Sequence, residues 1–122
     1  MSILEENVID STSIENGILI LTISDHLKWD NEHLFLLQEK INSYLQYIES
    51  GQIFEDFGES SYETIEIQLI YKYKPNENYR KFLYRLEGAL LKLKLRFSHG
   101  TISYFYSWKV NTLFITSNPR KP

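Results

Sequence analysis

Between Thr64 and Tyr73 the side chains alternate: Ile65, Ile67, Leu69, Tyr71 and Tyr73 fall on one side, Glu66, Gln68 and Lys72 on the other. A period of two belongs to a β-strand, and a strand apolar on one side has one face on a core and one facing water. Antiparallel sheets most often take that form, so the expectation is a mainly antiparallel sheet. Such a sheet needs a cover for its apolar face, and the rest of the chain has to supply it.

Two segments offer that cover. Trp29-Asp30-Asn31-Glu32-His33-Leu34 reads as a helix start with Asp30 as N-cap, Trp29 at N′ and Leu34 at N4. Leu34, Leu37, Ile41, Tyr44, Leu45 and Ile48 then recur at helical spacing, and Gly51 supplies a left-handed stop after Ser50. Lys74-Pro75-Asn76-Glu77-Asn78 is a turn with candidate caps, followed by Tyr79, Phe82, Leu83, Leu86, Leu90 and Leu93 on one helical face. Gly88 inside this second helix implies a close contact.

Val8, Ile9 and Ile14 lead into Asn16-Gly17, a hairpin signal, with Ile18–Ser24 as the return strand. That strand is apolar on both faces, so it is placed centrally in the sheet. Residues 52–63 are an acidic, aromatic-studded connection. Residues 92–97 fit a helix end or a strand equally well; Thr101–Tyr106 and Leu113–Thr116 read as strands. The order is β-β-α-β-α-β-β: an α+β two-layer sandwich with two helices on one face of a mainly antiparallel sheet. No linker or repeat divides the 122 residues, so one domain spans 1–122, with 117–122 as a frayed tail.

There are no cysteines, which removes disulfides, thiolate metal sites and a Cys nucleophile and fits a reducing compartment. The start carries no secretory pattern, and the apolar run Ile18–Ile23 is far short of a membrane span, so a cytoplasmic location without membrane association is expected. Net charge is −3, but it is divided unevenly. Residues 1–66 hold 14 acids and 2 bases, a net of −12; residues 67–122 hold 11 bases and 2 acids, a net of +9. The split points to a charged partner, or to two halves that neutralise each other through packed helices.

The densest polar cluster is Ser24-Asp25-His26-Leu27-Lys28-Trp29-Asp30-Asn31-Glu32-His33. Asp25, His26 and His33 could bind a metal or do acid–base work, but their spacing matches no ligand motif, and no nucleophile elbow or glycine-rich phosphate loop is present. No catalytic residue, metal ligand or cofactor is therefore assigned. The plainer alternative has Asp30 as a cap, Trp29 as a staple, and His33 at N3 near solvent. Arg80, Lys81, Arg85, Lys92, Lys94 and Arg96, followed by Tyr104, Phe105, Tyr106 and Trp108, could meet nucleic acid; the acidic half and the missing recognition motifs weigh against it. Glu55, Asp56, Glu59 and Glu63 with Phe54, Phe57 and Tyr62 could dock onto a basic protein.

Residues 21–54 carry Asp25-His26-Leu27 with Trp29, then His33-Leu34, then Leu37, Gln38, Lys40, Asn42 and Tyr44, and Glu49 to Gly51. This pattern, D-H-L-x-W, H-L, L-Q-x-K-x-N-x-Y and E-S-G, resembles a family of short bacterial proteins of unknown function. The resemblance implies a small bacterial cytosolic α+β protein and brings no activity. It selects Gln38, Asn42 and Tyr44, with His26 and His33, as the first functional surface to consider.

The sequence thus leads to an interaction or accessory protein, of the immunity type, that meets a protein partner through acidic surface. The binding residues are Asp25, His26, Trp29, His33, Gln38, Asn42, Tyr44, Glu55, Asp56 and Phe57. A small metal- or ligand-dependent enzyme centred on Asp25, His26 and His33 is the alternative, and nucleic-acid binding through the basic second helix is the third reading. Self-association of the two charged halves stays open.

Overall fold

A computed structural model describes residues 2–5, 8–58 and 62–106. In chain order the elements are β1 (Ser11–Glu15), β2 (Ile18–Asp25), α1 (Asn31–Glu49), α2 (Gln52–Phe57), β3 (Thr64–Tyr71), α3 (Glu77–Lys92) and β4 (Arg96–Thr101). Residues 102–106 add a short helical turn. The four strands form one sheet in the order β1-β2-β3-β4.

The Asn16-Gly17 hairpin forms as expected. Both residues take positive φ, 53° and 79°, and β1 pairs antiparallel with β2 from Glu15↔Ile18 outward. From β2 onward the expected direction fails. β3 runs parallel to β2, with Ile18 opposite Thr64, and β4 runs parallel to β3, with Glu66 opposite Arg96. The sheet is mixed, not mainly antiparallel. Helix length explains the difference. The 19 residues of α1 rise about 28 Å, and the 8 residues of β2 extend about 26 Å. One helix returns the chain to the start of the strand it left, so the next strand must run parallel. The 16-residue α3 repeats the step between β3 and β4. Alternation along β3 correctly reports one-sided burial, but burial carries no information about strand direction.

Parallel crossovers are right-handed. Two successive ones moving in the same direction along the sheet leave α1 and α3 on one face, as expected. Leu19, Leu21 and Ile23 of β2, Ile67, Leu69 and Tyr71 of β3, and Phe97 of β4 point at Leu37, Ile41 and Tyr44 of α1 and Leu83 and Leu90 of α3. Opposite them, Thr22 Oγ1 donates to Gln68 Oε1 (3.3 Å) and Ser98 Oγ to Glu66 Oε2 (2.7 Å).

Three local expectations change. Residues 52–57 of the acidic connection are the helix α2, which starts at Gly51 with φ 88°. The ambiguous stretch at 92–97 resolves into the end of α3, a left-handed turn at Lys94 (φ 63°) and the start of β4. Thr101–Tyr106 is not a strand: β4 ends at Thr101 and the helical turn begins. Tyr104 lies against Gly100, where an added Cβ would sit 2.5 Å from its Cδ2. Gly88, by contrast, is exposed with nothing near its missing side chain, so the close contact expected there does not exist. The expected strand at Leu113–Thr116 and the tail at 117–122 lie outside the described residues.

Candidate functional site

The sequence cluster at 24–33 folds at the carboxyl ends of β2 and β3, beneath the N-terminus of α1. Asp30 caps that helix, its Oδ1 accepting from the His33 amide at 2.8 Å. The capped first turn carries His33 inward, to 1% exposure, against Asp25 at the end of β2. His33 Nε2 and Asp25 Oδ2 form a short hydrogen-bonded pair, and His33 Nδ1 lies 3.1 Å from the Lys28 carbonyl. A carbonyl only accepts, so Nδ1 carries a proton. Asp25 Oδ1 also accepts from the Leu27 amide at 3.1 Å, which fixes the turn.

Trp29 closes this pair off. Its ring lies 4.1 Å from His33, stacks on Tyr79 of α3 at 5.5 Å and meets Tyr71 edge-on at 5.7 Å. Its indole N–H donates to the Tyr73 carbonyl at 2.7 Å. Tyr71 continues the chain of rings to His99 of β4, with Oη and Nδ1 3.0 Å apart. Burial holds the Tyr71 phenol above its ordinary pKa against the opposing Arg80 charge, and holds the His99 imidazole below its own against Glu87.

The arrangement ties loops and helix starts together. His33 is buried and both of its ring nitrogens are engaged within the protein. The expectation of His33 near solvent is therefore corrected: it is an N3 residue, but a buried one. His26 is exposed and, among the described residues, makes no hydrogen bond to the Asp25–His33 pair, whose own partners are the Lys28 carbonyl and the Leu27 amide. Among the described residues no three His, Asp or Glu side chains converge as metal ligands.

The resemblance-derived surface also divides. Gln38 and Asn42 are exposed on the outer stripe of α1, whereas Tyr44 points into the core. Its hydroxyl donates to the Thr22 carbonyl at 2.6 Å and accepts from the Asp10 amide at 3.0 Å. Burial, the larger influence, holds that phenol far above its usual pKa, so it remains a donor.

Beside Tyr44 lies a second buried ion pair that the sequence reading passed over. Lys40 Nζ contacts Asp10 Oδ1 at 2.8 Å and the carbonyls of Ser2 at 2.9 Å and Val8 at 2.6 Å, with the Glu5 carbonyl also bound. Asp10 Oδ2 accepts from the Ser24 amide at 2.8 Å. This network fastens the N-terminal segment to α1 and β2. One signal did exist: His33, Leu37, Lys40, Ile41 and Tyr44 form a single buried stripe of α1.

Removing Lys40 and His33 from the surface leaves the outer side of α1 and α2 with acids alone. Glu32, Glu39, Glu49, Glu55 and Asp56 face it without an exposed base on either helix. Asp56 is held in place by the Tyr47 hydroxyl (2.6 Å) and Gln52 Nε2 (3.2 Å). Phe35 and Phe54 stand out of this surface at 60% and 46% exposure, while Phe57 is half-buried against the core. The outer side of α3 carries Arg80, Lys81 and Arg85 around Tyr84, which is 77% exposed. Among the described residues no ion pair joins α1 or α2 to α3; the two halves meet in the sheet, where Arg96 Nε lies 3.5 Å from Glu66 Oε1.

Among the described residues no helix is long and apolar enough to cross a membrane. No curated protein and no solved structure matches this chain. A family model matches residues 1–103, and the chain accordingly belongs to a family of unknown function, DUF6572.

Proposed function

We propose that this chain is a protein-interaction module, an accessory or immunity-type protein of the bacterial cytoplasm, that docks onto a basic protein through the outer surface of α1 and α2. The observation that carries the reading is the composition of that surface. It bears five carboxylates and two exposed phenylalanines, and the helix's own cation is consumed by Asp10. Carboxylates around aromatic anchors are an arrangement suited to fast, salt-sensitive association with a basic partner. Gln38 and Asn42, on the same stripe as Phe35, supply neutral donors and acceptors for close contact.

The test is capture of partners on immobilised protein from nuclease-treated lysate of its native cells. Three forms are compared: the native chain, a Glu49→Gln/Glu55→Gln/Asp56→Asn/Phe54→Ala variant, and an Arg80→Gln/Lys81→Gln/Arg85→Gln variant. A stoichiometric basic protein held by the first and third and lost from the second supports the reading. Equal capture by all three removes it.

A further inference from the structure

The carboxyl ends of β2, β3 and β4 open on a crevice of about 570 Å³, independent of the acidic surface. Ser24–His26 close β2, Ile70–Lys72 close β3, and Thr101–Ser103 follow β4. In open α/β sheets the loops after parallel strands are where ligands lodge, since these loops converge while the strands fix their positions.

The charge at this mouth is unlike the surrounding half of the molecule. Lys72, Lys74 and His26 line it and are exposed. Lys28, the one base of the first 66 residues other than the buried Lys40, does not line the crevice but approaches Tyr73, which lies between Lys72 and Lys74 in the chain. Its Nζ lies 5.9 Å from the centre of the Tyr73 ring, and Lys72 Nζ lies 5.4 Å from it. Tyr73 thereby gathers two ammonium groups that would otherwise repel. Among the described residues the lining contains one carboxylate, Asp25, which is buried and hydrogen-bonded to His33. Asp30 and Glu77 stand nearby at the helix starts, and neither lines the crevice. Ile70 and Ile102 give the floor an apolar portion.

We propose that this crevice binds a small phosphate-bearing molecule. The phosphate sits between Lys72, Lys74 and His26, and the organic part lies over Ile70 and Ile102. Lysine ammonium groups bind phosphate as point charges and tolerate a mobile rim. A dianion gains more than a monoanion from the two neighbouring ammonium groups, and the His26 imidazole adds a hydrogen-bond donor.

The probe is inorganic phosphate, titrated into uniformly labelled protein and followed through backbone amide shifts, with sodium chloride at matched ionic strength as the reference. Saturable shifts confined to residues 24–26, 70–74 and 101–103, absent with chloride, are expected. The Lys72→Gln/Lys74→Gln variant should bind about tenfold more weakly or worse, since both charge-assisted contacts to the phosphate are removed. Both side chains are exposed, so the variant keeps the fold, and its unchanged amide spectrum elsewhere verifies that. Shifts that do not saturate, that chloride reproduces, that survive the double substitution, or that centre on Arg80, Lys81 and Arg85 would each overturn the proposal.

Discussion

Lys40 Nζ and Asp10 Oδ1 lie 2.8 Å apart with side chains 0% and 1% exposed, and Asp10 begins the chain's return toward β1. An ion pair so placed gains little over an apolar substitute of the same shape, yet breaking it from one side is costly. Lys40→Met leaves the Asp10 carboxylate and three backbone carbonyls without their cation. Urea unfolding should show a loss of about 3–5 kcal/mol. Pairing it with Asp10→Asn should cost less than the sum of the two single changes. A loss below about 1 kcal/mol for Lys40→Met would place the lysine outside, in a surface pair.

The buried imidazole predicts an absence of metal response. Both nitrogens of His33 are hydrogen-bonded, and among the described residues no three His, Asp or Glu side chains converge to hold Zn²⁺. Adding Zn²⁺ should leave the thermal midpoint unchanged. His33→Leu should destabilise the chain by about 3–5 kcal/mol, because it strands the buried Asp25 charge. A rise in midpoint with Zn²⁺, lost in His33→Leu, would reinstate the metal reading.

His99 gives the stability a pH dependence of defined sign. Burial lowers its folded pKa below 6.5, with Glu87 opposing. The unfolded chain therefore takes up the proton first. The contribution is present above about pH 6.5 and is lost as pH falls through that value toward the folded pKa. Urea midpoints measured from pH 8 to 5 should fall more steeply for the native chain than for His99→Phe. Parallel curves would contradict this.

Two glycines separate packing from propensity. Gly100→Ala drives a methyl to 2.5 Å from the Tyr104 ring and should cost about 1–3 kcal/mol as the helical turn at 102–106 is displaced. Gly88→Ala meets nothing and removes a glycine from an exposed helix interior, so it should stabilise by about 1 kcal/mol. Chemical denaturation of the two variants checks both signs.

Much of this was legible because local signals dominate where the chain turns. Asn16-Gly17 and the Gly51 stop depend on backbone conformations that few residues accept, the Asp30 cap depends on a short side-chain acceptor, and each was found where it was read. Strand direction was not legible, because the alternation of Ile65, Ile67, Leu69 and Tyr71 is the same in parallel and antiparallel pairing. The inward turn of His33 and Lys40 was half-legible. Both lie on the apolar stripe of α1; Asp25 stands in the same sequence cluster as His33, whereas Asp10 is distant from Lys40 along the chain and comes near only through the fold. The gathering of Lys28, Lys72 and Lys74 around Tyr73 likewise depends on β2 and β3 ending side by side.

The acidic surface of α1 and α2 is the centre of the functional account, and the comparison of captured proteins tests it most directly. Nuclease-treated lysate is passed over the native chain and over Glu49→Gln/Glu55→Gln/Asp56→Asn/Phe54→Ala, with elution by rising salt. The account predicts one stoichiometric basic protein that elutes from the native chain as salt screens the charges and does not bind the variant. A protein retained equally by both, or none retained by the native chain, would contradict it.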